Sequence, residues 1–157
     1  MVVHHAPWRE IDPVVGYHLL ALRSAVFVVE QDCVYLDADG RDVEPAAVQW
    51  WVTDADRVVA CLRVLDEPAG VRRIGRVVTA SVARGRGLAG QLMAAVLADD
   101  PGREFVLSAQ EHLTGWYAGF GFVAEGEPYV EDGIPHRAMR RPARPGDGLT
   151  PGAGFSA

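Results

Sequence analysis

The sequence contains no lysine; all fifteen of its basic residues are arginine. That reads as a compositional habit of the source genome rather than a functional device. Cysteine is scarce. Cys33 and Cys61 are the whole set, and neither stands in a metal-ligand spacing, which argues against a disulfide framework or a zinc module. His4, His5, His18 and His136 show no ligand-like spacing either. "DADGRD" at 37–42 gathers acids around a glycine, but Gly40 falls fourth where an EF-hand calcium loop needs it sixth. No metal is therefore implied. A basic excess is also missing: net charge −6 and a pI near 5.3 argue against a general nucleic-acid binder. No apolar run approaches the ~18 residues of a membrane span. "MVVHHAPWRE" lacks the apolar stretch of a secretory leader. The expectation is a cytoplasmic chain with reduced thiols, Cys61 being plain core.

What is present suits one domain. The chain has 157 residues, 49% of them hydrophobic, and a chain of this size buries roughly 68–70% of its unfolded surface. Its charges are uneven. Arg72, Arg73, Arg76, Arg84 and Arg86 crowd one stretch; Glu30, Asp32, Asp37, Asp39, Asp42 and Glu44 crowd another, with a single Arg. A basic and an acidic site would suit an anionic cofactor and a cationic substrate, and two solvated loops would look the same.

The element pattern runs as follows. Asp12-Pro13 caps a first helix through "VVGYHLLALRSAVFVVEQ". An acidic loop follows. "VQWWVTD", "RVVACLRVL" and "RRIGRVVTA" are strands whose short connections permit only antiparallel neighbours. Adjacent Trp50 and Trp51 face opposite sides of their strand, one suited to core and the other to an interface or groove. A glycine-rich loop, the helix "LAGQLMAAVLADD", the buried strand "EFVLSAQ" and the short helix "EHLTGWYAGF" come next. A strand pair turning at Asp132-Gly133 closes the domain at about residue 141. The tail 142–157, rich in Gly and Pro, is expected to be disordered.

The loop carries the chemistry. "GRGLAG" (Gly85, Gly87, Gly90) spells the dinucleotide fingerprint G-x-G-x-x-G, and also an R-x-x-G-x-A phosphate loop. Both need a strand, a tight turn and a helix N-terminus whose free N–H groups and dipole attract an anion. Glu111, after the next strand, lies near where a ribose-binding acid would sit. The dinucleotide fold, however, needs two parallel mononucleotide-binding halves. Here "TASVA" separates strand from glycines, little chain follows, and a meander stands upstream.

Meander, R-G-x-G-x-A loop, helix, apolar strand and short helix with "WYAGFGF" together resemble the GNAT superfamily of N-acetyltransferases. "RSAVFVVEQDCVYLDADGRD", "IGRVV" and "DGIPHRAM" resemble its ElaA-like branch, the likeness spanning residues 8–141. The resemblance implies a single α/β (α+β) domain with a mixed, mostly antiparallel central sheet flanked by helices. It implies acetyl-CoA as co-substrate and acetyl transfer to a primary amine by direct attack, with neither cysteine in a nucleophile pattern. Backbone of Val77, Val78 and Thr79 would pair with the pantetheine arm, and one of these N–H groups would polarise the thioester carbonyl. Backbone of Arg84, Gly85, Arg86, Gly87, Leu88, Ala89 and Gly90 would hold the pyrophosphate. Tyr117 would be the general acid, since a phenol keeps its proton at neutral pH. Candidates for the base are Glu30, placed first, His112 and Glu111; His136 belongs to the branch pattern without an assigned role. "DADGRD" at Asp37–Asp42 reads as an acidic lip that could attract a cationic small-molecule amine, the wider 30–44 segment having no assigned role. Nucleic acid and membrane are not expected partners, and monomer and homodimer are both open. A non-catalytic acyl-CoA sensor is the rival reading, ahead of a small dinucleotide-dependent oxidoreductase.

Overall fold

A computed structural model describes residues 1–144; the expected disorder of the tail falls, from residue 145 on, outside the described residues. One sheet organises the chain. Its strands are β1 (Val2–Pro7), β2 (Val48–Asp54), β3 (Arg57–Asp66), β4 (Arg72–Thr79), β5 (Phe105–Gln110), β6 (Val123–Glu131) and β7 (Ile134–Arg141). They lie in the order β1-β2-β3-β4-β5-β7-β6. Every neighbouring pair is antiparallel except β4–β5. The helices are α1 (Pro13–Arg23), α2 (Leu88–Asp99) and the short α3 (Thr114–Ala118).

Strand β1 was not anticipated. Its pairing with β2 stacks His5 on Trp50 at 4.3 Å and His4 on Trp51 at 5.3 Å. The aromatic partners lie 40-odd positions away, so no local pattern announces the strand. Trp50 and Trp51 do face opposite sides, yet both are buried. The sheet is covered on both faces. Trp50, Leu62 and Ile74 pack with Leu88, Leu92 and Val96 of α2, while Trp51, Cys61 and Val78 pack with Leu19, Leu22 and Val26.

The first helix starts where the sequence places it, with the Asp12 carboxylate accepting from Val14 N at 2.9 Å. It changes character at Arg23, running on as a π-helical segment, Ser24–Glu30. Wider turns of this kind are rare and concentrate at functional sites. The rod Pro13–Glu30 has mean hydropathy 1.3 over 18 residues, long and apolar enough to cross a membrane by length and composition alone. This corrects the expectation that no run reaches that length. Here one face packs on the sheet, and its Arg23 is buried in ion pairs, as suits a core helix.

Candidate functional site

Strands β4 and β5 pair only at Arg72–Phe105 and Arg73–Val106. Beyond those residues the facing edges carry no ladder, and the sheet opens between them. Two adjoining cavities occupy the opening, about 280 and 350 Å³. Phe27, Gln31, Val77, Gln110, Leu113 and Tyr117 line both, so they form one passage through the sheet.

A bulge shapes the β4 side. The β3–β4 register slips between Cys61 and Arg63, leaving Arg76 and Val77 opposite Leu62. Arg76 takes φ +54 there, a left-handed conformation costing a non-glycine residue roughly 1–2 kcal/mol. The surroundings hold it. Asp37 lies 2.8 Å from Arg76 Nε, Nη2 reaches the Asp37 carbonyl and Asp39, and the Tyr35 ring lies under the guanidinium. Tyr35 itself donates to Asp37 at 2.7 Å. A bulge re-aims the backbone that follows it, here Val77, Val78 and Thr79, which line the 350 Å³ cavity.

The glycine-rich loop stands beside that cavity. Gly85 and Gly87 have φ +78 and +72, and a Cβ on either would meet no protein atom within 4 Å. Gly87 is the N-cap of α2 and supplies no side-chain cap. Gly85, Arg86 and Gly87 donate to no backbone carbonyl among the described residues, and the first-turn N–H groups of Leu88, Ala89 and Gly90 have no intrahelical acceptor. The result is a run of free donors at a positive helix end, the requirement for a phosphate. Arg84 differs, its N–H reaching Ser81 O at 3.5 Å. The arginine side chains do not complete this site. Arg84 gives both terminal nitrogens to Glu30, one at 2.7 Å, and Arg86 pairs with Asp54 at 3.0 Å. Leu88 contributes backbone alone, its side chain being core.

Tyr117 opens on both cavities. Edge-on contact with Trp116 at 4.8 Å and with Phe122 fixes its ring, and its hydroxyl makes no hydrogen bond among the described residues. Burial pushes its pKa up from 10.0 to about 12, so it carries a proton throughout the neutral range.

The candidate bases separate. Glu30 lines neither cavity, and Arg84 holds its carboxyl below the usual range, which weakens it as a proton acceptor. Glu111 pairs with Arg137 at 3.3 Å. His112 is exposed on the 350 Å³ cavity. His136, left without a role by the sequence, lines the 280 Å³ cavity. Its Nδ1 lies 2.7 Å from the Ile134 carbonyl. A carbonyl only accepts, so Nδ1 carries the proton of the neutral ring and Nε2 keeps its lone pair.

The acidic segment is not a lip. Asp37 and Asp42 are buried and clamp Arg23 at 2.8 and 2.6 Å. Asp39 binds Arg63 through both oxygens, and Glu44 pairs with Arg41. The acids are counterions of the domain's own arginines, including Arg76 of the supposed basic site. The acids facing the 280 Å³ cavity from elsewhere are Glu131 and Asp132. Cys33 also faces it, its thiol donating to the Asp132 carbonyl at 3.3 Å.

The profile described as "Acetyltransferase (GNAT) domain" matches residues 30–142. The UPF0039 protein Rv2851c of Mycobacterium tuberculosis is 43% identical over 138 residues, spanning 85% of this chain and 88% of that protein. The crystal structure of Escherichia coli ElaA superposes with TM-score 0.84 at 36% identity, over 89% of this chain and 98% of that one. An acyl-CoA N-acyltransferase from Pseudomonas aeruginosa gives TM-score 0.83 at 39% identity, over 90% and 99%.

Proposed function

The chain belongs to the GNAT acetyltransferase family, and on that premise we propose that it transfers an acetyl group from acetyl-CoA to a primary amine by direct attack within a ternary complex. The observation that carries the reading is the open β4–β5 seam, flanked by the loop of free N–H donors and crossed by Tyr117.

The residues fit the co-substrate. A pyrophosphate takes the donors from Gly85 to Gly90, and the unpaired edge of β4 from Gly75 onward offers backbone groups to an extended amide-bearing arm. An N–H of the re-aimed Val77–Val78 stretch serves as donor to the thioester oxygen as charge develops there. The amine approaches through the 280 Å³ cavity. His136 Nε2, 3.9 Å from Glu131, takes its proton, directly or through water. The nitrogen forms its bond to the carbonyl carbon, the carbon–sulfur bond breaks, Tyr117 gives its proton to the departing thiolate, and the second proton leaving the nitrogen returns to the Tyr117 phenolate through water. Cys61 takes no part, because burial raises its thiol to about 12 and the thiolate is the nucleophile. Glu131 and Asp132 rather than the 30–44 segment draw in an ammonium. We place the protein in the cytoplasm, where acetyl-CoA is available as a soluble co-substrate.

Titration calorimetry with acetyl-CoA, followed by an amine screen, tests the proposal. Micromolar binding is expected, with Tyr117→Phe lowering kcat by ~10²-fold or more at little cost in acetyl-CoA affinity. Absence of acetyl-CoA binding defeats the reading. Binding with no amine acetylated favours the sensor instead.

A further inference from the structure

The acceptor cavity has charges of opposite sign on its two sides. Arg41, Arg63, Arg73 and Arg76 stand toward β3 and β4, while Glu131 and Asp132 stand at the β6–β7 turn, across the β4–β5 opening in the sheet order. What matters is which of these groups is already spent. Arg41 is held by Glu44 and Glu67, and Arg63 by both oxygens of Asp39 with Asp42 behind. Arg73 gives only Nε, to Glu67 at 2.7 Å. Its two terminal amino groups have no partner among the described residues, and its side chain is 38% exposed. Arg76 keeps Nη1 free in the same way. The acid that lines the cavity on this side, Asp39, is consumed by Arg63 and Arg76.

The opposite side has the reverse surplus. Glu131 meets only His136, at 3.9 Å, and the Asp132 carboxylate makes no ion pair among the described residues. Unused N–H donors therefore face unused carboxylates across one cavity. From this, and resting on the acetyl-transfer reading above, we infer that the acceptor is an amine that also carries a carboxylate. The amine lies toward His136 and the β6–β7 turn, and the carboxylate lies on Arg73, assisted by Arg76. A guanidinium presents its amino groups as a planar fork that matches a carboxylate. A polyamine would satisfy the turn and leave Arg73 facing a second positive charge.

The test uses linear primary amines of graded length that end in a carboxylate, a carboxamide or a second ammonium, together with α-amino acids and their amides. Acetyl-CoA binding is measured separately by calorimetry. The carboxylate member of each matched set is expected to have the highest kcat/KM, about 10- to 100-fold above its amide where the length fits. Arg73→Gln is expected to collapse that ratio, through KM rather than kcat. Preference for the diamine or the amide, or an intact ratio in Arg73→Gln, overturns this inference alone, whereas acetyl-CoA binding with no amine acetylated favours the sensor and overturns the acetyl-transfer reading with it. Failure to bind acetyl-CoA overturns the acetyl-transfer reading and this inference with it.

Discussion

The glycine-rich loop at 84–90 and the acidic segment at 37–44 both carry charge, and the fold uses their charges in opposite ways. Around the loop the charged side chains stay at the surface, Arg84 and Arg86 being 46% and 42% exposed, and pair off with Glu30 and Asp54. What remains for a ligand is backbone. In the acidic segment Asp37 and Asp42 go inward onto Arg23: the side chain of Arg23 is 1% exposed and that of Asp37 6%. Burial in a medium of low polarity makes such pairs conditional on one another. A charge written in the sequence is therefore no measure of charge at the site.

The contrast breaks first on stability. Removing one member of a buried pair leaves an uncompensated charge and costs about 3–5 kcal/mol; Arg23→Met does this to Asp37 and Asp42 together. In a domain whose total stability is of order 5–15 kcal/mol, the urea midpoint should fall steeply. Arg86→Gln should move it by at most about 0.5 kcal/mol. Equal shifts in the two variants would erase the distinction between the regions.

The loop is tested by conformation rather than charge. Gly87→Val forces a β-branched residue to φ +72 and should weaken acetyl-CoA binding more than tenfold in calorimetry, because the free N–H groups no longer converge. Arg84→Gln should weaken it far less, since its guanidinium already belongs to Glu30. If the two changes in Kd come out alike, the side chain rather than the backbone holds the phosphate. Arg76 joins the regions, because acids of one segment hold the bulge that shapes the other's cavity. Glycine adopts φ +54 freely and valine does not, so Arg76→Gly should keep most of kcat on a carboxyl-free amine, and Arg76→Val should lose about tenfold or more.

Elements with a local signature were legible in the sequence. The Asp12 cap, the three-strand meander, the loop–helix junction and the Asp132-Gly133 turn each rest on a few adjacent residues. What escaped depends on distant partners. Strand β1 exists because Trp50 and Trp51 receive His5 and His4. The acids at 37–44 read as solvated because Arg23, Arg63 and Arg76 are supplied by three other elements. Tyr117 could be singled out from "WYAGFGF", whereas His136 could not be ranked above His112, since only the fold sets one toward each cavity.

Tyr117 also gives the passage a pH signature. Its phenol is raised by burial to about 12 from an ordinary 10.0. The neutral form, which donates the proton, therefore survives two pH units further into the alkaline range than a solvated tyrosine would. The profile of kcat should consequently show no alkaline fall near pH 10, and an alkaline limb at that position would place the phenol in water rather than in the seam.

The smallest effect separates the two thiols. Cys61 sits in the core between Trp51 and Val78, 1% exposed, with its pKa pushed up to about 12. Cys33 is also buried and also raised, but it lines the acceptor cavity, where its thiol donates to Asp132. A small electrophile can reach it through that cavity without unfolding, whereas Cys61 waits for global opening. With a neutral maleimide, Cys33 should react slowly and Cys61 not at all on the same timescale, as mass spectrometry of the peptides would show. An amine acceptor bound in the cavity should slow Cys33 further, while coenzyme A on the loop side should slow it less. Protection in the reverse order would place the two ligands on the opposite ends of the passage.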